Sequence, residues 1–195
     1  SRAIELERRI VLSQYLTGVQ SCGSLPPQET GLICNSWFGK FHLEMYLWHC
    51  AFFPLWNRTY CITQSLDWYR RILPKAKINA ERNGFKGAKW PKQVAYDGID
   101  SPSHIATLLI WQQPNIIYML ELAYQSTKDE TLLRTYWEVI RETAEYMIDY
   151  VQLNPLTNRY DLPSPIIPAQ EEHNPKITVN PTFEVEYWRF TLNLA

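Results

Sequence analysis

The stretch from Asn35 to Trp56, NSWFGKFHLEMYLWHCAFFPLW, decides how the rest of the chain is read. Three tryptophans, two histidines, one lysine and one glutamate share its twenty-two residues. Phe41, Met45, Trp48 and Phe52 recur at i, i+4, i+7 and i+11, the spacing of one helical face. This predicts a helix from about Phe41 to Phe53, stopped near Pro54. A helix with rings on nearly every side is expected to be buried almost all round. Lys40, His42 and Glu44 stand at its start, where an ordinary core helix is apolar. Polar groups buried there require partners.

Upstream, a helix is predicted over about Arg2–Gln20, with Ile4, Ile10, Val11, Tyr15 and Val19 as its stripe, and Gly23–Asn35 is a Pro/Gly loop. Downstream, a helix over about Thr59–Asn83 contains Pro74 and should kink there. A long loop follows, Gly84–His104, in which Trp90 argues against disorder. The next helix begins near Ile105 or Pro114 and reaches about Gln125. Another spans about Asp129–Leu153, with Leu132, Leu133, Tyr136, Trp137 and Ile140 as its apolar face. The loop Asn154–Asn180, with five prolines, leads to a last helix opened by Pro181-Thr182-Phe183-Glu184.

No strand-period run of any length occurs, so the fold class is all-α. Long loops alternating with short ones suit helical hairpins set in a ring, with the long loops gathered at one rim. The last helix barely completes three turns. Residues 1–195 are therefore expected to be part of a larger domain whose C-terminal portion is missing, with the remainder of the same polypeptide as its partner.

Composition narrows the function. The chain is 46% hydrophobic and 14% aromatic with eight tryptophans, which marks a folded globular protein. With 19 basic and 20 acidic residues, the charge gives no reason to expect nucleic acid or an anionic membrane as partner. Apolar runs such as CAFFPLW are too short to span a bilayer, and Ser1–Arg9 is charged and lacks the apolar core of a signal peptide. Cys22, Cys34, Cys50 and Cys61 form no CxxC pair and read as free thiols, one disulfide staying open for an exported protein. The four histidines lack HExxH spacing, so no metal and no cofactor is expected. The compartment stays open, with an exported protein preferred to a cytoplasmic one.

Three polar–aromatic clusters fall at loop–helix junctions, where function tends to sit. The first is Trp37, Lys40, His42 and Glu44. The second is Lys89-Trp90-Pro91-Lys92, with Asp97 and Asp100 and then Trp111-Gln112-Gln113. The third is Gln170-Glu171-Glu172-His173, followed by Phe183-Glu184-Val185-Glu186. Tryptophan planes stack on sugar faces while amides and carboxylates hold hydroxyls, and a carboxyl sheltered enough to stay protonated can act as acid at a glycosidic oxygen. A carbohydrate ligand fits this set. Plainer roles stand beside it: Glu172 and His173 as solvated loop residues, and Glu184 as a carboxylate favoured at a helix start.

At these junctions the chain resembles the (α/α)6-barrel, or six-hairpin, glycosidases and glycoside phosphorylases. The similarity is nearest to glycoside hydrolase family 65, with a fainter one to the family 95 α-L-fucosidases. The family's Phe-Trp-Asp-Thr-Glu pattern looks like Lys40-Phe41-His42-Leu43-Glu44, with His42 in place of the Asp. Its Gly-Ala-Lys/Arg-Tyr-Pro/Ala-Trp-Glu stretch looks like Gly87-Ala88-Lys89-Trp90-Pro91-Lys92, which puts Lys92 roughly where a sugar-binding Glu is usual. Its Thr-Phe-Glu-Glu-Ile-His helix start is similar to Thr182–Tyr187, and counting back through the loop makes Glu171 the match for the general acid, with Glu172 as the adjacent alternative.

The resemblance implies a glycoside hydrolase of inverting mechanism. Glu171 would be the acid, supported or replaced by Glu184 and Glu186. Trp37, Lys40, His42, Glu44, Trp90, Lys92, Gln112 and Gln113 would line the sugar pocket. Inverting carboxyl pairs stand about 6.5–9.5 Å apart, and the base would lie beyond Ala195. Two alternatives stay open: a phosphate-dependent glycoside phosphorylase, and a carbohydrate-binding barrel without catalysis. His42 and Lys92 imply a different sugar, an acidic one included, or altered catalysis.

Overall fold

A computed structural model describes residues 1–101 and 103–195, so Pro102, within the expected loop Gly84–His104, lies outside it. The described chain is helical with two small β-ribbons. Helices α1 (Arg2–Ser21), α2 (Leu43–Cys50), α3 (Phe52–Leu55), α4 (Tyr60–Arg82), α5 (Asn115–Thr127), α6 (Glu130–Tyr150) and α7 (Thr182–Leu194) follow in order. Strands β1 (Phe41–His42) and β2 (Gln93–Val94) pair antiparallel, and β3 (Gln152–Asn154) pairs with β4 (Arg159–Asp161) as a hairpin.

Local chemistry accounts for the helix limits. The Asp129 carboxylate accepts the Thr131 N–H at 2.9 Å and starts α6. Lys128, at φ 54°, closes α5 in a left-handed cap. α4 continues on both sides of Pro74. α6 buries Tyr136, Val139, Thr143, Tyr146, Met147 and Tyr150 along one stripe, whereas the expected face member Trp137 is exposed.

The aromatic helix differs from its expectation in two ways. Phe41 and His42 are drawn into a ribbon with Val94 and Gln93, so helix begins only at Leu43. Its buried side is Leu43, Tyr46, Leu47 and Cys50, a regular i, i+3, i+4, i+7 stripe, and Trp48 faces outward. The helix also resumes through Pro54 as α3.

α2 to α6 enclose the main core, including Ile62, Leu66, Trp68, Tyr69, Trp90, Ile116 and Met119. A second cluster, with Ile110, Ile117, Tyr146, Leu162, Ile166 and Trp188, fastens α7 and the loop before it. α1 stands outside both: only Ser21 of it is buried, and Ile4, Val11, Tyr15 and Leu16 are exposed. Among the described residues, no helix is long and apolar enough to cross a membrane, and no group of three or more His, Cys, Asp or Glu is placed to hold a metal ion.

Candidate functional site

Helices α2, α5 and α7 begin at one rim, and Asn115 at the start of α5 ties them together. Its amide donates to the Leu43 carbonyl at 2.9 Å, and its Oδ1 accepts from Tyr187 Oη at 2.9 Å. Beneath the rim runs residues 87–94, buried without interruption. Gly87, at φ 72°, lies so close to α6 that an added Cβ would meet Glu142 O and Tyr146 N at 2.3 Å. Only glycine permits this approach. Ala88 N–H then donates to Glu142 O at 2.8 Å.

Gln112 and Gln113 complete the support of this segment. The Gln113 carbonyl accepts from Trp90 N at 2.8 Å and its amide donates to Ala88 O at 2.7 Å. The Gln112 amide donates to Trp90 O at 3.1 Å and Leu109 O at 2.8 Å. Trp90 itself is 1% exposed, with its indole N–H on Thr143 Oγ1 at 2.8 Å. The structure thus places Trp90 and Gln113 in the scaffold below the rim, with no open face or free amide for a sugar.

The same segment delivers Lys92 to the start of α2. Leu43 N–H donates to Lys92 O at 2.9 Å, and the register His42↔Gln93 fixes the strand beside it. Lys92 Nζ then lies 3.3 Å from Glu44 Oε1 and also donates to Glu171 Oε1. Burial opposes the Lys92 charge, but Glu171 and Glu44 together outweigh it and raise its pKa above the ordinary lysine value. Glu44 is 6% exposed, and burial pushes its carboxyl up to about 7 against the pull of the Lys92 ammonium. Glu171 is exposed, on a loop residue held at φ 62°.

His42 extends the cluster. It is fully buried, and burial lowers its pKa, so the ring is neutral at pH 7. A carbonyl can only accept, so the 3.1 Å contact to Lys40 O assigns the proton to Nδ1. Nε2 is then the acceptor for the Gln93 amide at 2.8 Å. Trp37 is 57% exposed, its indole N–H donates to Glu29, and its ring centre lies 6.2 Å from that of His42. Lys40 turns away to donate to Ser101 Oγ.

Glu184, in the first turn of α7, is fully buried, and its Oε1 accepts the Ala169 N–H at 2.7 Å. Burial raises its pKa, opposed by its own N–H and that of Ala169. It therefore anchors the loop that carries Glu171. Glu186 is not brought to the rim; it forms an exposed i,i+3 pair with Arg189 at 2.6 Å. Glu184 Oε2, Gln112 Oε1 and Trp111 Nε1 are buried without protein partners, and these are groups that a hydroxyl can satisfy.

Of the expected residues, Trp37, His42, Glu44, Lys92 and Glu171 form one connected cluster. Glu29 and Gln93 join it and were not anticipated. Gln93 adjoins Lys92 and has a readable place once the ribbon register is known; Glu29, a polar residue in a Pro/Gly loop, carries no signal in sequence.

Hairpins of helices with long loops at a shared rim define the class: the chain is part of an all-α (α/α)6 toroid. No protein-family model matches it. It is 24% identical over 188 residues to 1,2-α-glucosylglycerol phosphorylase of Bacillus selenitireducens, covering 88% of this chain and 24% of that protein. A solved structure described as a kojibiose phosphorylase from the human microbiome superposes with a TM-score of 0.75 at 13% identity, covering 86% of this chain and 22% of that one. The chain spans about a quarter of the length of each. The resemblance to the six-hairpin superfamily, nearest to family 65, holds in both comparisons.

Proposed function

We propose that this chain forms the acid-bearing part of a phosphate-dependent glycoside phosphorylase, with Glu171 as the general acid. The observation that carries the proposal is the carboxyl–lysine–carboxyl bridge Glu44–Lys92–Glu171, which sets an exposed acid over a buried floor at the rim of a toroid. Similarity to a phosphorylase over 88% of the chain supports phosphate, rather than water, as the acceptor.

In this reaction the glycosidic C–O bond breaks as the Glu171 proton passes to the leaving oxygen. A phosphate oxygen bonds to the anomeric carbon from the opposite face, inverting it, and the proton of hydrogen phosphate restores Glu171. The products are a glycosyl phosphate and an alcohol. Trp37 offers its exposed ring to a sugar face. An inverting hydrolase would use the same acid with water in place of phosphate.

The test uses the polypeptide that carries this chain, with 1,2-α-glucosylglycerol and kojibiose as first substrates. Turnover that requires inorganic phosphate is the expected result, and equal cleavage without phosphate would return the protein to the hydrolases. Glu171→Gln should lower kcat by about 100-fold or more while the fold persists. Full activity in that variant would move the acid elsewhere. Sugar binding by calorimetry with no bond cleaved would leave a binding barrel.

A further inference from the structure

The main chain of the acid proposed above is held within its own loop, where Glu171 N–H donates to Pro168 O at 2.8 Å. Residues 170–174 are exposed in succession, and Glu171 takes up a left-handed backbone conformation. Its loop is fixed just before it, where Ile167 N–H donates to Leu108 O at 2.9 Å and Ala169 N–H to Glu184 at 2.7 Å. Beyond Ala169, among the described residues, the contact on the Glu171 carboxylate is Lys92.

Lys92 is the opposite kind of residue. Its main chain is pinned by Leu43 and by the β1–β2 register, its side chain is 11% exposed, and Glu44 holds the ammonium from below. Two of its three N–H groups are thereby committed to carboxyl oxygens. A lysine so placed has little left for a sugar.

We propose that Lys92 is a positioning residue: it docks the Glu171 loop onto the start of α2, with Glu44 as the buried counter-charge that fixes the ammonium. The catalytic part of this rests on the acid role of Glu171; the docking part does not. The lysine converts a floor built by buried hydrogen bonds into a fixed point above it. The place of the acid's carboxyl at the rim is then set by Glu44 of α2 and by Lys92, just before β2, as well as by its own loop.

Two measurements test it. In the chain itself, deuterium exchange at the Ala169 and Glu171 amides is followed in wild type, Lys92→Met and Glu171→Gln. The expected result is faster exchange at both amides in each variant, by about tenfold or more, with α4 and α6 protection retained. Should Lys92→Met lose the α4 and α6 protection, Glu171→Gln, altered at an exposed side chain, decides alone. Unchanged loop exchange overturns the proposal.

In the complete polypeptide, Lys92→Met should lower kcat about 100-fold with KM nearly unchanged on 1,2-α-glucosylglycerol. The loss should largely disappear on 2,4-dinitrophenyl α-glucoside with phosphate, whose leaving group needs no proton. A Lys92→Met effect confined to KM makes the lysine a sugar ligand and overturns the positioning role. If the wild type consumes no glycoside at all, the phosphorylase reading fails, and the exchange measurement still decides the docking.

Discussion

Two segments cross the same rim and are built in opposite ways. Residues 87–94 and 109–117 are buried without a break, and their main-chain groups are met by Gln112, Gln113 and α6. The later loop runs exposed through residues 170–174 and is tied at Ile167, Ala169 and Asn180, with Lys92 on Glu171. One is a floor, whose cost of burying polar backbone is offset by hydrogen bonds. The other is a strap, exposed through residues 170–174, with Glu171 held from outside by Lys92. The Glu171 carboxyl on the strap meets solvent, whereas Glu44 on the floor is balanced between burial, which raises its pKa to about 7, and the Lys92 ammonium, which favours its charge.

The sharpest way to break this contrast is Trp90→Ala. Removing a fully buried indole from the floor should cost about 3–5 kcal/mol in denaturant unfolding. A loss below about 1 kcal/mol would show that the segment is not core. Second comes pH. Burial pushes the Glu44 carboxyl up to about 7, above its ordinary value of 4.5. The folded state therefore holds the extra proton between those values; this contribution is full below pH 4.5 and is lost as pH rises through about 7. At about 1.4 kcal/mol per pKa unit, the upper bound is about 3.5 kcal/mol. The difference in unfolding free energy between wild type and Glu44→Gln should show this slope, and a flat difference from pH 4 to 8 would remove Glu44 from the floor.

A smaller effect is expected where floor meets strap. Glu184→Ala leaves the Ala169 N–H without its carboxylate and should cost about 1–3 kcal/mol. Its mark should be faster exchange from Ala169 onward and little change at Trp90; uniform loosening of both segments would erase the distinction. Least of all, Glu186→Ala removes an exposed pair with Arg189 and should leave the unfolding midpoint unchanged. A clear shift there would mean that Glu186 has a partner at the rim after all.

The helices were legible because caps and periodicity act locally. Asp129 and the Thr182-Phe183-Glu184 start both mark ends that the structure keeps. The β1–β2 ribbon was not legible, since two residues per strand carry no period. The same limit misjudged α2: its largest rings suggested the buried stripe, but Leu43, Tyr46, Leu47 and Cys50 fill the core and Trp48 stays outside. At the site, residue types drew attention to Trp37, His42, Glu44, Lys92 and Glu171. Which tryptophan offers a face depends on tertiary packing, so Trp90 and Trp37 read alike in sequence and part company in the fold. The pairing of Lys92 with Glu44 follows from a ribbon that the sequence does not announce.

The shared rim of α2, α5 and α7 has a consequence for how such a protein can change over generations. Glu44, Asn115 and Glu184 all lie within the first turn of their helices, ahead of the residues that pack the hairpins. Helix stability is set further along, in stripes such as Tyr46–Cys50 and Val139–Met147. Each of the three is nevertheless buried and joined to another element, so a mutation there tests the joints between helices before it tests the packing of the hairpins.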